Sequence, residues 1–186
     1  MSVILQSSGG GQITIQEPTT ASNFTQTLPA STGTVMVSGN MPAFSASLSG
    51  NQTLAFNTLT RLPFNTEIFD TNNCYDPTTN YRFTPNVAGY YLINSNVKFN
   101  GTVGRQYYFD ARVHKNGSLF NKSVVGVSLV MGSGQDFNVC SSGLAYMNGT
   151  TDYIEIYAYQ YDYTASGTMS IISSASSFDG FMVRAA

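Results

Sequence analysis

From residue 41 onward the chain is a succession of β-prone stretches separated by tight-turn dipeptides, and no window of it carries a convincing 3.6-residue apolar period. Stretches rich in β-branched and aromatic residues run over 62–69, 89–99, 106–113, 123–131, 136–147, 153–163 and 168–183. Between them stand Asp76-Pro77, Asn100-Gly101, Asn116-Gly117 and Asn148-Gly149, pairs suited to tight turns, the Asn-Gly pairs tolerating positive φ. Many strands at this spacing with almost no helix predict an all-β sandwich, jelly roll or barrel.

Composition narrows the class of protein. With 12 Tyr, 12 Phe and 42% hydrophobic residues, the chain has the apolar surface that disordered chains lack. Only 10% of residues are charged, and the eight Lys and Arg are scattered at a net charge of −2. Nucleic acid is therefore not an expected partner, because phosphate neutralisation needs clustered cations. No apolar run approaches the ~20 residues that cross a bilayer, so membrane insertion is not expected. Met1–Leu5 has no basic residue and only three consecutive apolar ones, so no secretory signal is expected and the chain should be made in a cytoplasm. Cys74 and Cys140 are too few for a disulfide framework, and each is expected as a small buried apolar residue rather than half of a bridge.

Residues 1–40 differ from the rest. Glu17 is their one ionisable side chain, and short β-prone bursts at 12–16, 24–29 and 33–37 are punctuated by Gly and Pro. Forty such residues cannot bury a core alone. An anchoring segment that orders against a partner is preferred to a floppy linker, because a linker has no use for Ile13, Ile15, Leu28, Val35 and Val37. The expected division is 1–40 as an anchor and 41–186 as a head.

Catalysis finds little support. His114 is the single histidine, placed just before the Asn116-Gly117 turn and expected as a surface turn residue rather than a base. Gly9-Gly10-Gly11 lacks the Lys and the helix of a phosphate loop, and Gly132-Ser133-Gly134 lacks the helix that follows a nucleophile elbow. The acidic residues show no metal-ligand spacing with His. Neither an enzyme nor a cofactor is expected.

The most distinctive surface is the alternation over 153–163. It puts Tyr153, Glu155, Tyr157, Tyr159, Tyr161 and Tyr163 on one face of a strand, and Ile154, Ile156 and Ala158 on the core face. Tyrosines in such a row are too apolar to be left wholly wet, yet their hydroxyls need partners. Packing between copies of the chain, a sugar-binding platform and an ordinary half-exposed strand all fit this pattern.

The spacing of Phe64, Asp70, Tyr75, Phe83, Gly89 and Tyr91 closely resembles the signature of C1q-like domains, with seven residues rather than six between Tyr75 and Phe83. Ala43-Phe44-Ser45-Ala46 resembles the opening strand of that family, Lys115-Asn116-Gly117 its central hairpin, and Ser177–Met182 its closing strand. Together these cover about residues 42–184. The resemblance implies a ten-stranded antiparallel jelly roll of the C1q and tumour-necrosis-factor type, assembled as a homotrimer. Tyr91, Tyr157, Tyr159, Tyr161 and Phe181 are then candidates for the trimer interface. Some members bind calcium, for which Asp136, Asp152 and Asp162 could supply oxygens.

Gly9-Gly10-Gly11-Gln12-Ile13-Thr14-Ile15 and the Thr27–Val35 segment resemble pieces common in tailed-phage structural proteins. That second resemblance implies a virion-surface role, as a capsid decoration or cement protein or a short head fibre. Residues 1–40 would then attach a trimeric head to capsid or tail proteins of the same particle. A fibre tip that binds a host receptor or glycan, or a free soluble ligand or lectin, is the alternative.

Overall fold

The computed structural model describes residues 2–16, 19, 20, 23, 25, 27, 30, 35–37, 39, 41–133, 135–164 and 167–186, with 2 and 123–129 described by backbone alone. The chain forms two compact units, residues 1–33 and 34–186.

In the first unit, β1 (Ser2–Gln6) and β2 (Gln12–Gln16) form an antiparallel hairpin. The amide of Gly10 donates to the Ser7 carbonyl and that of Ser7 to Gly11, closing a turn in which Gly10 takes φ +85°. The register sets Val3 opposite Ile15 and Leu5 opposite Ile13, so four aliphatic side chains share one face. The strand expected at 12–16 is present, and its partner is the Met1–Leu5 region considered above only as a sorting signal. Leu28 and most of 24–29 lie outside the described residues, and Val35–Val37 is not in a strand.

The second unit contains two antiparallel sheets. Its strands are β3 (Ala43–Ser47), β4 (Gln52–Leu54), β5 (Thr60–Arg61), β6 (Thr66–Asp70), β7 (Tyr75–Asp76), β8 (Arg82–Phe83), β9 (Gly89–Asn100), β10 (Gln106–Lys115), β11 (Ser118–Val130), β12 (Asp136–Met147), β13 (Ile154–Asp162), β14 (Met169–Ile171) and β15 (Ser177–Ala185). The first sheet runs β11-β10-β13-β8-β7, with β5 also on β13. The second runs β4-β14-β9-β15-β3-β6, with β12 on the other side of β9. The described residues hold no α-helix, only a 3-10 turn at Ser173–Ala175. Thirteen strands stand where ten were expected, and five of them, β4, β5, β7, β8 and β14, are two- or three-residue pieces.

Period-two alternation carries the packing. Along β9 the odd residues Tyr91, Ile93, Val97 and Phe99 are buried between the sheets, with small, buried Ser95 among them. Residues Ile154, Ile156 and Ala158 do the same from β13. At the centre, Phe44 stacks on Tyr75 (4.8 Å) and Phe83 (4.4 Å) and meets the edge of Phe178 (4.8 Å). Phe83 in turn contacts Tyr91 at 5.5 Å, and Phe178 contacts Phe64 at 5.9 Å.

The C1q-like signature is thus a packing signature. Four of its six residues belong to this aromatic cluster. Asp70 accepts hydrogen bonds from the amides of Tyr75 (2.7 Å) and Asn72 (3.1 Å) and so fixes the turn that delivers Tyr75 inward. Gly89 is needed because β15 passes so close that a Cβ there would lie 2.4 Å from the Arg184 carbonyl. The longer Tyr75–Phe83 spacing is taken up by a turn on Asp76, whose carboxylate accepts from the amides of Thr78, Thr79 and Asn80, before Tyr81 at φ +50°.

Candidate functional site

Two outward faces of the sandwich carry chemistry that the core does not explain. On the second sheet, Leu144, Leu92 and Phe181 lie side by side across β12, β9 and β15, and Tyr146 and Tyr90 form the neighbouring row. The Tyr90 and Tyr146 rings meet edge-on at 5.5 Å. Leu144 (55%), Phe181 (46%), Tyr146 (44%), Tyr90 (40%) and Val183 (52%) are all substantially exposed. The face continues along β9 and β12 with neutral groups, where Ser142 donates to Asn94 (2.7 Å) and Cys140 lies against Asn96, and it ends on the Lys98–Asp136 ion pair at 2.9 Å. Asp179 on β15 accepts from the hydroxyls of Ser45 and Ser177.

The outward face of the first sheet is aromatic and charged. Tyr157, Tyr159, Tyr161 and Tyr163 stand in a row along and beyond β13. Beside them on β10 are Arg112 opposite Tyr157, Asp110 opposite Tyr159, and Tyr108 opposite Tyr161. Asp110 is fully buried beneath this layer. Its carboxylate accepts from Arg112 Nε (2.6 Å) and Nη2 (3.0 Å) and from the Tyr108 hydroxyl (2.9 Å), and pairs with Lys122 Nζ at 3.3 Å. The bond to Asp110 raises the Arg112 guanidinium, and Tyr108 together with Asp110 raises the Lys122 ammonium. Glu155, also buried, pairs with Arg61 at 2.9 Å.

The five candidates for contacts between protomers are not brought together. Phe181 is on the outward face of the second sheet, whereas Tyr157, Tyr159 and Tyr161 are on the outward face of the first. Tyr91 is completely buried inside the chain, with its hydroxyl donating to the Val87 carbonyl at 2.7 Å, so it has no exposed surface for a contact between copies. Exposed Tyr90, Leu144, Tyr146 and Val183 were missed, as were Val3 and Leu5 on the hairpin. Among the anchor candidates, Ile13 and Ile15 are exposed on the apolar hairpin face, and Val35 and Val37 are exposed within the second unit.

Two further expectations need correction. Cys74 is buried as expected, but Cys140 is exposed, because even residues of β12 face outward; both thiols are free. His114 is not a surface residue: the Tyr157 ring covers it at 4.4 Å, leaving it 7% exposed with Nδ1 3.3 Å from the Gly117 carbonyl. The three acids named for calcium each have their own basic partner, Lys98 for Asp136, Lys115 for Asp152 and Arg105 for Asp162. Among the described residues no group of three His, Cys, Asp or Glu could hold a metal, and no helix is long and apolar enough to cross a membrane.

Several groups titrate away from their ordinary range. Asp76 is lowered by the amides of Thr79 and Thr78, Asp136 by Lys98 and Asn100, and Asp152 by Asn116 and Lys115. Burial raises the phenols of Tyr75 and Tyr91 and the thiol of Cys74. The carboxylates bind protons more weakly folded than unfolded, so their contribution is present above about pH 4 and is lost on acidification below it. The buried phenols hold their protons more tightly when folded, so their contribution is intact below about pH 10 and is lost above it. The urea midpoint should therefore fall on both flanks of a neutral plateau. A midpoint that still held at strongly alkaline pH would contradict the burial of Tyr75 and Tyr91.

No family model and no curated protein matches the sequence. Among solved structures, the chain is similar to murine APRIL at pH 5.0, with a TM-score of 0.53 and 10% identity over 77% of this chain and 99% of that one. It is also similar to the globular domain of zebrafish complement 1qA protein (TM-score 0.48, 16% identity, 78% and 99% covered). The PRD1 vertex protein P5 gives a TM-score of 0.49 at 18% identity, with 78% and 98% covered. The similarity to APRIL shows the fold: the second unit is a C1q/TNF-like antiparallel jelly roll.

Proposed function

We propose that the protein is a non-enzymatic structural component of a phage particle, a homotrimer whose jelly-roll heads join through the outward face of the second sheet. The observation that carries the assembly is the strip of exposed Tyr90, Leu144, Tyr146, Phe181 and Val183 around half-buried Leu92, across three adjacent strands. An apolar strip that continues into neutral polar groups suits burial against copies of itself, with its charges at the edges, where Arg184 stands opposite Tyr90 and Lys98 is already paired with Asp136. A closed ring of three covers each strip and leaves no open end for further growth.

The particle role rests on the N-terminal segment. Its resemblance to phage structural pieces is joined by the hairpin face of Val3, Leu5, Ile13 and Ile15, each between 53% and 66% exposed. A two-stranded ribbon with one bare aliphatic face is marginal in water and gains stability from a partner surface. Residues 1–40 attach to the particle in this reading, and the short anchor suits capsid decoration or a short head fibre.

Light scattering on a sizing column tests the assembly and co-sedimentation with particles tests the attachment, with one variant for each. Leu144→Asp combined with Phe181→Asp places two charges per protomer in the interface and is expected to yield folded monomers. Ile13→Asp combined with Ile15→Asp is expected to leave the trimer intact while abolishing sedimentation with particles. A trimer that survived the first variant, or particle attachment that survived the second, would overturn the corresponding half.

A further inference from the structure

Tyr108, Tyr159, Tyr161 and Tyr163 line an open cleft of about 350 Å³ on the outward face of the first sheet, away from the strip described above. The geometry points to a saccharide-binding site in this cleft, for a pyranose that carries a carboxylate.

The aromatic walls are preformed. Tyr108 meets Tyr159 edge-on at 6.1 Å, and Tyr161 meets Tyr163 at 5.0 Å. The Tyr108 hydroxyl is fixed by Asp110, and the Tyr159 hydroxyl by the Asn57 side chain at 2.5 Å. Arg112 stands over the Tyr159 ring at 5.0 Å and Lys122 over the Tyr108 ring at 5.4 Å. Rings held in this way lose little freedom when a ligand stacks on them. Tyr161, against which the Phe56 ring packs at 5.0 Å, and Tyr163 line the cleft with hydroxyls that bond no other described residue.

That combination selects the ligand. A pyranose offers a flat C–H face, which stacks on aromatic rings, and a rim of hydroxyls, which bond to phenolic oxygens. An added peptide strand is disfavoured, because β13 is already paired with β10 on one side and with β5 and β8 on the other. Charge supplies the rest of the specificity. Asp110 is the one carboxylate shared by Arg112 and Lys122, so one positive charge remains uncompensated beside the tyrosines. Glu155 with Arg61 and Asp162 with Arg105 make neutral pairs around it. A carboxylate on the sugar would meet that charge.

The test is calorimetric titration of the full chain with a tetramer of hexuronate and with a neutral hexose tetramer of the same linkage. Saturable binding of the uronate is expected, with the neutral tetramer weaker by about tenfold. Tyr161→Ala should weaken uronate binding by about tenfold, whereas Tyr161→Phe, which keeps the ring, should cost only about threefold. Lys122→Ala should remove the preference for the acidic tetramer. Solution mass, read in parallel, should stay unchanged in all three variants. No saturable binding, equal affinity for the neutral sugar, unchanged affinity in Tyr161→Ala, or loss of assembly in Tyr161→Ala would each overturn the assignment; the last would make this face a contact between copies. The outcome does not depend on a particle role, because binding and oligomeric state are read separately.

Discussion

Phe44→Ala is expected to destabilise the head by about 4 kcal/mol, a large share of the 5–15 kcal/mol that holds a typical domain together. Phe44 is 1% exposed and touches Tyr75, Phe83 and Phe178 at once, so its removal opens a cavity where the two sheets meet. The neighbours cannot collapse into that space freely. The Tyr75 hydroxyl is tied to the Phe64 carbonyl at 2.7 Å, and β3 is pinned between β15 and β6. Phe44→Leu keeps most of the volume and should cost about 1 kcal/mol. Urea unfolding followed by circular dichroism reads both. A loss below 1 kcal/mol for the alanine variant would mean that the aromatic cluster is not the centre of the core.

Asp110→Ala should be the next most damaging change, at about 3 kcal/mol. The carboxylate is fully buried and lies between two cations that would otherwise face each other across β10 and β11, offsetting one of their two charges. The loss lies at the low end for a broken buried pair, because the Arg112 and Lys122 side chains retain 20% and 32% exposure and can recover some water. Asp110→Asn preserves an acceptor for Arg112 and the Tyr108 hydroxyl but removes the charge, and should cost about half as much. Equal stability of Asp110→Ala and the parent chain would show that the cations do not depend on this carboxylate.

The architecture was legible where the sequence encodes packing. The Phe64 to Tyr91 spacing reports aromatic side chains converging on one cluster, together with the turn that Asp70 caps and the close approach at Gly89, so it carries the fold. The strand over 153–163 was also legible in its alternation, with Ile154, Ile156 and Ala158 inward and the tyrosines outward. Parity assigns a residue to a face, but does not say what that face meets. That depends on β13 pairing with β10 rather than with β9 or β15, a long-range choice that no local pattern specifies.

The missed strip on the second sheet did leave a trace. Tyr90–Ile93, Leu144–Met147 and Phe181–Val183 are apolar without alternation, which is what a strand shows when both of its faces are covered. Cys140 shares the parity of Leu144 and Tyr146 and could have been placed outward on that ground. His114 could not have been read as buried, because the Tyr157 ring that covers it comes from the neighbouring strand of the sheet. At the N-terminus, Val3-Ile4-Leu5 followed by a Ser/Gly turn and Ile13-Thr14-Ile15 is a hairpin pattern, weak in sequence because its first strand shows no alternation.

Assembly of three copies through the second sheet is read most directly from the solution mass of the intact chain by light scattering. The expected mass is about 60 kDa, three times the 20.1 kDa chain. A stable species of 20.1 kDa at micromolar concentration would contradict the account, since Tyr90, Leu144, Tyr146, Phe181 and Val183 would then remain exposed with nothing to cover them.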